Sequence, residues 1–146
     1  MIGKTLSVLV VDDEHVEREL FRQALEGASY AVWTAGSYAA AIRIFHEHKD
    51  ECDLLVVDVS LPDKNGVELV MELSAAKPEL KYIFVSGWVG AEVLGSCGVS
   101  VAERCFLQKP FTLPMLVDRV GEILKSDKPS PLRNKAGDQR AAANGE

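Results

Sequence analysis

The sequence predicts an α/β fold, a doubly wound parallel sheet of five strands, and three observations predict it. Strand-like runs alternate with helical periodicity along most of the chain. The runs 6–11 and 54–57 are continuously apolar rather than alternating, as strands covered by helices on both faces should be. Several runs also end in chemically capable residues, and the C-terminal ends of parallel strands gather at the edge where open α/β sheets bind ligands.

The first strand, 6–11, runs into Asp12-Asp13-Glu14. Helix 15–26 follows, with Val16, Leu20, Ala24 and Leu25 read as its apolar face, then strand 30–35 and helix 38–48 with Ile42 and Phe45 inward. The third strand, 54–57, delivers Asp58, and helix 66–76 carries Val67, Val70 and Leu73. Strand 82–86 delivers Ser86-Gly87. The fourth helix, near 89–96, is expected to be short or labile, since Gly87, Gly90, Gly95 and Gly98 fall around it and a helical glycine costs about 1 kcal/mol relative to alanine. Strand 105–108 leads into Lys109-Pro110-Phe111. The fifth helix, 112–125, spaces Leu113, Leu116, Val117, Val120 and Leu124 along one face and tolerates Pro114 in its first turn. Right-handed crossovers place these five helices on both faces of the sheet.

At 146 residues and 47% hydrophobic, the chain builds one core. Residues 1–126 are expected to form the domain. Residues 127–146 bring no large apolar side chain after Leu132 and read as a disordered polar tail. Of the net charge of −6, residues 1–124 carry 11 Lys/Arg against 19 Asp/Glu. That acidic body argues against direct DNA binding. Cys52, Cys97 and Cys105 lack CxxC spacing and read as reduced buried thiols, which suits a cytoplasmic protein. No apolar stretch approaches the roughly 20 residues of a membrane span or forms a signal peptide. His46 and His48 flank Glu47 without metal-ligand spacing and read as a solvated helix face; His15 reads as exposed.

Asp12, Asp13 and Asp58, brought together, repel one another; either a hard cation such as Mg²⁺ or the Lys109 ammonium compensates them. Such a site holds a phosphoryl group, and an aspartate there can itself be the nucleophile. Lys109 and the Ser86 hydroxyl then face the equatorial oxygens of the transferred group.

Four pieces in order, Val11-Asp12-Asp13-Glu14, Asp58 with Pro62 and Gly66, Val85-Ser86-Gly87 and Lys109-Pro110-Phe111, make residues 5–125 resemble the receiver domain of two-component response regulators, of the single-domain, chemotaxis-regulator kind. The resemblance implies a flavodoxin-like sheet in the order 2-1-3-4-5 and a phosphorylation-controlled switch rather than an enzyme. It implies that Asp58 is the phosphoacceptor, and that Asp12, Asp13, Asp58 and the backbone carbonyl of Ser60 hold Mg²⁺ or Mn²⁺. Lys109 becomes the phosphate contact, Ser86 and Phe106 the switch pair, and Ser60 and Trp88 the residues that set the lifetime of the phospho-form. The implied partners are a sensor histidine kinase or phosphotransfer protein and a downstream protein, with no membrane or DNA; the chain itself is a monomer or a phosphorylation-linked dimer. A haloacid-dehalogenase-like phosphatase is the alternative, disfavoured because Ser60 stands where that class needs a second acid. The N-terminal receiver of a larger regulator is another.

Overall fold

The computed structural model describes residues 5–87, 99–100, 103–126 and 133–134. Their elements in chain order are β1 (Ser7–Val11), α1 (His15–Gly27), β2 (Ala31–Ala35), α2 (Tyr38–Glu47), β3 (Leu54–Asp58), α3 (Gly66–Ala76), β4 (Lys81–Ser86), β5 (Val99–Ser100), a 3₁₀ turn (Glu103–Cys105), β6 (Phe106–Gln108), α4 (Leu113–Lys125) and β7 (Arg133–Asn134). Five strands form one parallel sheet in the order β2-β1-β3-β4-β6, which is the expected 2-1-3-4-5 with β6 as its fifth member. Four α-helices stand among the described residues against the five expected. The fourth helix expected near 89–96, with Cys97, lies outside them. Of residues 127–146, Arg133–Asn134 alone are described, paired antiparallel with Val99–Ser100.

β1 and β3 are buried along their whole lengths, as their unbroken apolar runs require. Side-chain caps fix three helix starts: Ser37, Asn65 and Thr112 each accept from the amide three residues on, at Ala40, Glu68 and Met115. α3 begins on a glycine because its start presses on the end of β3. A Cβ on Gly66 would lie 2.3 Å from the Asp58 carbonyl oxygen and 2.6 Å from Val57 Cγ1. The Gly66 amide donates to Val59 O at 2.7 Å. Lys109-Pro110 is cis.

The apolar face read for α1 needs correction. Phe21 and Leu25 are the buried residues, whereas Val16 and Leu20 are 67% and 45% exposed. Residues 17, 21 and 25 form the line that faces the sheet, one step of about 100° from the line 16, 20, 24. This phase turns Glu17 inward. The solvated reading of His46 and His48 holds for His46 alone, because His48 stacks on Trp33 with ring centroids 4.4 Å apart.

Candidate functional site

The C-terminal ends of β1, β3, β4 and β6 bring Asp12, Asp58, Ser86 and Lys109 to one edge of the sheet. Asp12, Asp58 and Ser86 are 1%, 7% and 2% exposed. Each carboxylate is oriented by the chain just past its strand: Glu14 N–H donates to Asp12 Oδ1 at 2.9 Å, and Ser60 N–H donates to Asp58 Oδ1 at 2.8 Å. The other Asp58 oxygen accepts from Lys109 Nζ at 3.1 Å. Lys109 is placed by its own backbone, whose N–H donates to Ser86 O at 2.7 Å. Ser86 Oγ donates to Gly87 O at 2.7 Å.

One acid of the site was not anticipated. Glu17 accepts from Lys109 Nζ at 2.6 Å, and ligand oxygens of Asp12, Glu17 and Asp58 all lie within 4.8 Å of one another. The sequence carried a signal for it, since Phe21 and Leu25 continue its line at i+4 and i+8. Asp13, expected to join the metal ligands, is exposed and stands outside this group of three. Ser60 is exposed as well. Phe106 is half-buried on β6, in register with Phe84. Trp88 lies outside the described residues.

The electrostatics follow from burial. Asp12 is pushed up to about 8, first by desolvation and next by its hydrogen bond with Glu17. Burial raises Asp58 too, against the Ser60 amide and the Lys109 charge. Burial would also raise Glu17, but its bonds with Asp12 and Lys109 outweigh it and hold the carboxyl below its usual range. Lys109 loses to burial and gains more from Glu17 and Asp58, so it is raised. Asp12 Oδ2 is buried and faces the Glu17 carboxyl, which satisfies it only through a shared proton or a cation. An all-oxygen, acid-rich cradle of this kind fits a hard divalent ion.

Residues 8–121 match the family model of the response regulator receiver domain. The chain belongs to that family. This receiver is 29% identical over 117 residues to the response regulator receiver protein CpdR of Brucella abortus, covering 80% of this chain and 95% of that one. It is 36% identical over 124 residues to the sensor kinase CckA of the same organism, covering 85% of this chain and 13% of CckA. It spans 25% of the transcriptional regulator NtrC of Azospirillum brasilense and 51% of the probable regulator TcrX of Mycobacterium tuberculosis. The crystal structure of a receiver protein from Sinorhizobium medicae superposes with a TM-score of 0.74 at 25% identity, covering 86% of this receiver and 98% of that chain. The family is that of the receiver domains of two-component systems. No helix among its described residues is long and apolar enough to cross a membrane.

Proposed function

We propose that Asp58 accepts a phosphoryl group from a phosphohistidine of a sensor kinase or phosphotransfer protein. The observation that supports this most directly is the Asp58 carboxylate itself, set at the ligand-binding edge of a parallel sheet with Lys109 Nζ at 3.1 Å. An Asp58 oxygen bonds to phosphorus while the P–N bond of the donor breaks, and the departing histidine nitrogen keeps the electron pair. Lys109 takes one phosphoryl oxygen. The Ser86 hydroxyl, now bonded to Gly87 O, turns to another. Asp12 and Asp58 would hold Mg²⁺ or Mn²⁺, with Asp13 and the Ser60 carbonyl as the remaining protein donors. Bound there, the cation neutralises charge growing on the phosphoryl oxygens.

Movement of Ser86 toward the phosphate opens space that Phe106 fills, which reshapes the surface around β6 and α4 for a downstream protein. Output by protein contact rather than DNA suits the acidic body, and the buried free thiols of Cys52 and Cys105 suit the cytoplasm. The donor approaches over a groove of about 590 Å³ lined by Val16, Leu20, Phe21, Pro110 and Phe111, which adjoins Lys109. The exposed Ser60 offers no general acid, so turnover of phosphoesters is not favoured.

Acetyl phosphate with Mg²⁺ should label the wild-type chain at Asp58, and Asp58→Asn should abolish the label, read by intact-protein mass. Full labelling of Asp58→Asn would overturn the assignment.

A further inference from the structure

Glu17 reaches the Lys109 ammonium at 2.6 Å, closer than Asp58 does at 3.1 Å. A phosphoryl group arriving on Asp58 brings oxygens carrying up to about two negative charges into the same space. Both anions call on the Lys109 ammonium, since Arg18, the other basic side chain at this edge, is engaged with the Asp12 carbonyl at 2.7 Å. The two differ in their way out. Glu17 has 29% of its side chain exposed and starts from the first turn of α1, so water can receive its carboxylate; Asp58, at 9%, is fixed at the end of β3.

We propose that Glu17 is a resident competitor of the phosphoryl group: it occupies Lys109 in the unphosphorylated protein and must be displaced for phosphorylation to be completed. The inference rests on Asp58 as phosphoacceptor and goes beyond it by naming the internal anion that sets how readily the site is loaded. Glu17 is here a positioning residue acting through Lys109.

Beryllofluoride, which mimics the phosphoryl group, tests the proposal when titrated at saturating Mg²⁺ and read by fluorine NMR. In Glu17→Gln the half-saturating concentration should fall roughly threefold to tenfold, the scale of a partly exposed ion pair. Glu17→Asp keeps the charge but loses the reach to Lys109, and it should bind more tightly too. Unchanged or weaker binding in Glu17→Gln, as expected if Glu17 instead serves the cation, overturns the proposal. So does tightening confined to Glu17→Gln, which marks a field effect alone. Amide spectra matching wild type away from the site establish that both variants are folded. A wild-type chain that takes no beryllofluoride overturns the phosphoacceptor reading, and the competitor with it.

Discussion

Asp12 keeps its proton up to about pH 8 because burial penalises its charged form and the facing Glu17 adds to that penalty. The unfolded chain releases the same proton near the ordinary value of 3.8. Between these values the native protein binds more protons than the unfolded one, so its stability falls as pH rises. Asp58, also raised, acts in the same direction. Glu17, lowered from 4.5, acts in the opposite sense, but its contribution is lost only as pH falls below that value. Metal-free protein should therefore melt at a higher temperature at pH 5 than at pH 8, and Asp12→Asn should flatten the trend. A slope that Asp12→Asn leaves intact would assign the effect elsewhere. Asp12, Asp58, Ser86 and Lys109 were legible in the sequence because the end of a buried parallel strand fixes where its next residue sits. Glu17 was not, because a helical residue has a direction only once the helix has a phase. Val16 and Leu20 are apolar enough to suggest the wrong one, and the bulk of Phe21 decides it.

At the scale of elements, the same rotation of α1 does two things. It buries Phe21 and Leu25 against the sheet, and it leaves Val16 and Leu20 as an exposed apolar pair at the groove beside Lys109. α3 shows a different economy, meeting the end of β3 so closely that its first residue has no room for a methyl group. Gly66→Ala forces the helix start away from Asp58 O and Val57 Cγ1, an overpacking that costs about 1–3 kcal/mol. It should lower the melting temperature and slow acetyl-phosphate labelling together, since the displaced backbone is that of Asp58. Labelling at the wild-type rate in a destabilised Gly66→Ala would show that the strand end does not move. The spacing of Gly66 was legible as part of a motif. Its reason, a contact between two elements, is not written in either element alone.

For the whole molecule, the alternation of strands and helices was enough to name a parallel sheet, but the order of its strands came from family likeness, because local patterns carry no information on which strands are neighbours. The tail read from composition meets one observation, the pairing of Arg133–Asn134 with Val99–Ser100. That pairing is two residue pairs long, so a chain ending at Ser126 should melt within a few degrees of the full chain and label normally. A larger loss would mean that this pairing docks the tail. The bond from Lys109 N–H to Ser86 O has a consequence for how such a protein can diversify. It ties the residue after β6 to the last residue of β4, so Ser86 and Lys109 hold their places at the sheet edge independently of the sequence that connects the two strands. Between the end of β4 and the 3₁₀ turn before β6 the sequence can therefore be rewritten to suit another partner while the residues that switch the protein on are kept.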